Sequence, residues 1–132
     1  MGKLLQRMSD ASKSGVYRVT RDREVLDTLP AIARISFAGV KTRAELLERI
    51  ARALQLPDWF GQNWDALEDG LSERAGHLLF SDWQELAADD LGVLLDVLAS
   101  SAEFCAGQGE PMFAVFVDPQ RRLDLDALFR EA

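Results

Sequence analysis

Apolar positions recur along this chain with two spacings, and together they lay out strands alternating with helices. The run from Arg34 to Val40 reads as a strand. Behind it, Leu46, Leu47, Ile50 and Leu54 fall at helical spacing, introduced by Thr42 and Glu45 in a capping-box pattern. Residues 76–80 form a short apolar run that reads as a buried strand, and Ser81 with Gln84 repeats the capping pattern and restarts a helix. Asp89 and Asp90 open a longer helix with one apolar stripe: Leu91, Leu94, Leu95, Leu98, Ala102 and Cys105. Gly107 and Gly109 end it. Met112 to Val117 is apolar throughout, as a central parallel strand should be, and Pro119 stops it.

The flanks are less patterned. Residues 1–14 are polar and small after Leu5 and are expected to be partly mobile. Val16 to Thr20 alternates weakly and reads as a short edge strand. Asp22 to Leu29 has room for one or two helical turns before Pro30, and Asp124 to Arg130 reads as a short terminal helix. The order from Arg34 onward is strand, two helices, strand, one or two helices, strand. Connections of that length are crossovers, so the strands should be parallel and the crossovers right-handed. The expectation is an α/β fold: a small three-stranded parallel sheet covered by helices over residues 34–118, with an N-terminal extension (1–33) and a C-terminal extension (119–132).

One stretch departs from these patterns. Leu56 to Glu73 holds five acids and no base, and packs Trp59, Phe60 and Trp64 into six positions. Pro57 blocks a helix arriving from upstream, and Gly61 has conformations closed to other residues. Asn63 is a good N-cap, so a helix is expected from Trp64 to about Glu73. On that helix Trp64, Leu67 and Leu71 share an inward face, and Asp65, Glu68, Asp69 and Ser72 an outward one. Asp65 and Asp69 are an i, i+4 like-charge pair, which costs an isolated helix roughly 0.2–0.5 kcal/mol. Most acidic helix faces are merely solvated. The aromatic pair Trp59-Phe60 ahead of the cap favours a binding surface, because rigid rings supply contact area at little entropy cost. The same rings can serve as core of the turn, Phe60 first among them.

The block from Leu56 to Asp69 (Leu-Pro-Asp-Trp-Phe-Gly-Gln-Asn-Trp-Asp-Ala-Leu-Glu-Asp) resembles the signature of the barstar family, intracellular inhibitors of the ribonuclease barnase. The family pattern is Leu-Pro-acid-aromatic-aromatic-Gly-acid/amide-Asn-x-Asp-Ala-Leu-x-Asp. Asp82-Trp83 resembles an acid–tryptophan pair found after the family's second strand. The resemblance covers roughly residues 34–118 and implies a barstar-like fold. It also implies a bacterial, cytoplasmic inhibitor or immunity protein that blocks a basic ribonuclease. On this reading Asp69 matches the aspartate that takes the phosphate position in the enzyme, the family's standard hot spot, and Asp65 a second important acid. Trp59 replaces a tyrosine that packs on a catalytic histidine, beside Asp58 and Phe60. Gly61 and Asn63 match loop contacts, and Ser72 replaces a threonine. Glu68 stands where the family has a tryptophan, Trp64 replaces a leucine, and Gly70 a cysteine. A late acid on the long helix also contributes in the family, and Glu103 is the nearest candidate.

Composition narrows the alternatives. The 132 residues suit one domain, and the net charge of -7 argues against nucleic acid as the direct partner. The charge is divided unevenly: residues 1–56 carry +5 and residues 57–132 carry -12. One cysteine and one histidine, Cys105 and His77, leave no intrachain disulfide and no metal-ligand spacing. Neither a secretion signal nor a membrane span is expected, so a cytoplasmic protein, monomeric alone, is the default. No cofactor is expected. Asp65, Glu68 and Asp69 are the only acid–base or magnesium candidates, and three acids on one convex helix suit neither role. The expected partner is a basic extracellular-type ribonuclease or another nuclease toxin; a non-inhibitory acidic docking module is the alternative.

Overall fold

Phe113–Val117 needs apolar cover on both faces, and the tertiary structure provides it. The computed structural model describes residues 8–57, 63–74 and 76–128. In chain order the strands are β1 (Gly15–Val19), β2 (Ala33–Ser36), β3 (His77–Ser81), β4 (Phe113–Val117) and β5 (Asp126–Ala127). The α-helices are α1 (Arg23–Leu26), α2 (Arg43–Ala53), α3 (Trp64–Arg74) and α4 (Ala88–Gly107), with 3-10 turns at Ala11–Lys13 and Trp83–Glu85. The sheet order is β2-β3-β4-β1-β5, and every pairing is parallel.

The α/β class and parallel sheet agree with the sequence reading, but the sheet has five strands and not three. Residues 15–19 do not form an edge: Gly15 to Val19 pairs with Phe113 to Val117 on one side, and Tyr17 and Arg18 pair with Asp126 and Ala127 on the other. A terminal helix does not begin at Asp124. Instead Leu128 N–H donates to Arg18 O at 2.9 Å, and Arg18 Nε donates to Leu125 O at 3.1 Å, holding that segment extended. Residues 129–132 lie outside the described set.

Two apolar layers enclose the sheet. On one face Ile35, Leu78, Phe80, Ala114 and Phe116 meet Leu46, Leu47 and Ile50 of α2, Leu67 and Leu71 of α3, and Leu94, Leu98 and Ala102 of α4. On the other, Leu79, Phe113 and Val115 meet Met8, Val25 of α1 and Leu128. This division follows from handedness. Steps from β2 to β3 to β4 run in one direction, so right-handed crossovers put α2, α3 and α4 on one face. The step from β1 back to β2 runs the other way and sends α1 to the opposite face. Stacked rings cross the strands within each layer: Phe37 on Phe80 and Phe80 on Phe116 (centroids 5.7 and 4.7 Å apart) under the three helices, and Tyr17 on Phe113 (5.4 Å) opposite.

Local signals set the boundaries. β2 ends at Ser36 rather than Val40, because Gly39 adopts φ +76° in a turn closed by Val40 N–H to Phe37 O at 3.0 Å. Thr42 caps α2 by accepting from Glu45 N–H at 3.2 Å, while the Glu45 carboxylate accepts from Lys41 N–H at 3.3 Å. α2 is closed before Pro57 is reached. Gln55 takes a left-handed conformation (φ 56°), Leu56 N–H reaches Ala51 O at 2.9 Å, and Gln55 N–H reaches Arg52 O at 3.1 Å, a Schellman arrangement. α4 ends the same way at Gly109, φ +75°. After β3 the expected helix is only the Trp83–Glu85 turn: Asp82 sits at φ 57° and caps nothing. Its carboxylate accepts instead from Ser36 Oγ at 2.6 Å, tying the ends of β2 and β3.

Candidate partner-binding site

The acidic helix forms where its local chemistry predicts. Asn63 Oδ1 accepts from Ala66 N–H at 2.7 Å, and the Asn63 carbonyl accepts from Leu67 N–H at 3.1 Å, so Asn63 caps α3. Leu67 and Leu71 are 0% and 2% exposed, with Trp64 packed partly buried beside them. This apolar edge anchors α3 in the core layer it shares with α2 and α4 and turns its other side outward. Asp65, Asp69 and Glu73 are exposed there, and Glu68 and Ser72 are half-buried. Among the described residues, no ion pair or side-chain hydrogen bond engages the Asp65 or Asp69 carboxylate.

The half-buried pair shows where the neighbour lies. Cys105 Sγ of α4 approaches the Ser72 carbonyl oxygen at 3.8 Å. Glu68 and Ser72, one turn apart, therefore line the side of α3 that faces α4, and Asp65 and Asp69 look out beside that seam. Burial pushes the Cys105 thiol pKa up, and the Glu110 charge adds to the effect. Ser101, one turn before Cys105, is 0% exposed, and its hydroxyl has no partner among the described residues.

Of the sequence candidates, Asn63, Asp65, Glu68, Asp69 and Ser72 are thus brought together on one helix. Asp58, Trp59, Phe60 and Gly61 lie outside the described residues. Glu103 is exposed but lies about 200° around α4 from Cys105, away from α3. Trp83 is structural: it is 2% exposed, its indole N–H donates to Val117 O at 2.8 Å, and the Arg122 guanidinium lies 5.8 Å from its ring. Phe104 escapes the sequence reading although it is 53% exposed. A large apolar side chain about 100° off the Leu91–Cys105 stripe is the signal that marks it.

Other chemistry is sparse. Among the described residues, no group of three or more His, Cys, Asp or Glu residues is placed to hold a metal ion, and no helix is long and apolar enough to cross a membrane. A cavity of about 720 Å³ opens at the N-terminal ends of β2, β3 and β4, bordered by Ile32, Gln55, Leu71, His77 and Met112. Burial lowers the His77 pKa, opposed by the nearby Met8 backbone, and its Nδ1 has no hydrogen-bond partner among the described residues.

Comparison with protein families gives a match over residues 31–117, most of the chain, to the family described as Barstar (barnase inhibitor). No curated protein and no solved structure gives a match.

Proposed function

The chain belongs to the barstar family, and from that premise we propose that it inhibits a basic ribonuclease by laying α3 over the enzyme's active site. The observation that carries this reading is the pair Asp65 and Asp69. Both are exposed on a helix whose opposite edge is anchored by Leu67 and Leu71. Folding gains nothing from that like-charge pair. An enzyme cleft that binds a polyanion is lined with cations, and carboxylates held on a rigid helix stand where phosphates would. Asp69 takes the central position and Asp65 supports it. Asn63 holds the helix start, Glu68 and Ser72 line the edge, and Asp58, Trp59, Phe60 and Gly61 supply the preceding loop contacts. Opposite fields speed association, the more so at low salt. The protein acts as a stoichiometric inhibitor in the cytoplasm, with no catalytic step of its own.

The test is inhibition of barnase and a panel of other basic ribonucleases by wild type and Asp69→Ala, at low and high salt. Wild type should inhibit at least one of them. Asp69→Ala should weaken that complex by at least about thirtyfold, the usual cost of truncating one member of a buried charge pair. The reading fails if wild type inhibits none, and an acidic docking role without inhibition then replaces it.

A further inference from the structure

The two exposed large hydrophobic residues among those described, Val93 (38%) and Phe104 (53%), both belong to α4. At about 100° per residue they fall within about 40° of one another and of Val97, which is 8% exposed. Counted around the helix from Cys105, the order is Ser101, Val97, Phe104 and Val93; the first two are buried and the last two exposed. Leu95 and Ala106 lie on the opposite flank. α4 descends antiparallel to β4 with α3 on its β3 side, and its right-handed winding turns the Ser101–Val97–Phe104 flank to α3. The opposite flank turns to β1. The Cys105–Ser72 approach at 3.8 Å fixes the same end of the seam. Phe104 therefore stands at the outer lip of the α3–α4 seam, facing the edge of α3 that carries Glu68 and Ser72.

We propose that Phe104 is the apolar anchor of the partner interface, flanking the acidic face of α3 and inserting against an apolar patch beside the cationic cleft of the same nuclease. This rests on the inhibitor reading. Isolated exposed hydrophobic residues are commonplace, but a phenylalanine this open, beside an acidic face that is unpaired among the described residues, suits an interface anchor, because aromatic side chains are enriched at partner interfaces. The surface divides the labour. The acids of α3 steer the encounter and set its salt dependence, and Phe104 slows dissociation.

The experiment measures association and dissociation rates against whichever ribonuclease of the panel wild type inhibits, for Asp69→Ala, Phe104→Ala, Phe104→Leu and Glu103→Ala. Phe104→Ala should raise the dissociation rate by about tenfold and leave the salt dependence of association intact. Phe104→Leu should restore most of the loss, and Glu103→Ala, on the far face, should match wild type. Unchanged thermal melting of the phenylalanine variants excludes a folding defect. If Asp69→Ala breaks the complex while Phe104→Ala binds as wild type does, the inhibitor reading stands and this inference falls. If wild type inhibits no ribonuclease of the panel, the inhibitor reading fails and takes the anchor with it.

Discussion

The thiol of Cys105 lies 3.8 Å from the carbonyl oxygen of Ser72, joining the long helix α4 to the acidic helix α3. The contact is buried on the thiol side, and burial together with Glu110 raises the thiol pKa. A thiol whose folded pKa lies above its unfolded value favours folding below the unfolded pKa, and that contribution is lost as pH rises through the folded pKa. Cys105 should therefore alkylate slowly in the native protein, and its labelling rate should track global unfolding as urea is added. Rapid labelling without urea would show that the α3–α4 seam opens locally.

Asn63→Ala should destabilise the protein by about 1 kcal/mol, the usual cost of removing an N-cap acceptor. The lost bond is Asn63 Oδ1 to Ala66 N–H at 2.7 Å. Asn63→Asp keeps an acceptor and adds negative charge at the helix start, so it should recover most of that stability. Urea unfolding of the three proteins decides it; equal losses in both variants would mean that Asn63 acts elsewhere.

Trp83→Phe should cost about 1–3 kcal/mol, because the Val117 carbonyl loses a buried donor at 2.8 Å. The Arg122–indole contact goes with it. Inhibition of the ribonuclease should be unaffected at temperatures where the variant is folded. A loss of binding without a loss of stability would move Trp83 from the scaffold to the interface.

His77 should make the protein sensitive to mild acid. Its folded pKa lies below its ordinary value because burial disfavours the charged ring. The unfolded chain then takes up a proton more readily, so stability is intact above about pH 6.5 and declines as pH falls through that value toward the folded pKa. His77→Leu should flatten the change in urea midpoint between pH 7 and pH 5. Parallel declines in both proteins would assign the acid sensitivity to other groups.

Much of the proposed site was legible in the sequence, because its determinants are local. A cap at Asn63, an apolar edge of Leu67 and Leu71, and acids at Asp65 and Asp69 follow from spacing along one helix. The same holds for the Thr42–Glu45 cap of α2 and the Leu94–Leu98–Ala102 stripe of α4. The rest depends on pairings between distant segments. The weak alternation of Val16 to Val19 says nothing of the strand that will accept it, yet Gly15 meets Phe113 and makes residues 15–19 an inner strand. Asp126 and Ala127 are extended only because β1 stands ready to receive them. Trp83 reads as an ordinary aromatic until the Val117 carbonyl comes within reach of its N–H. Glu103 and Phe104 are adjacent in sequence and equally plausible surface residues. Only the hand of the crossovers and the winding of α4 place Phe104 beside the acidic face and turn Glu103 away. Capping and periodicity act over one or two helical turns and can be read directly from the chain. Strand order and the facing of a helix flank are set by which buried surfaces meet, and those surfaces exist only once the sheet has formed.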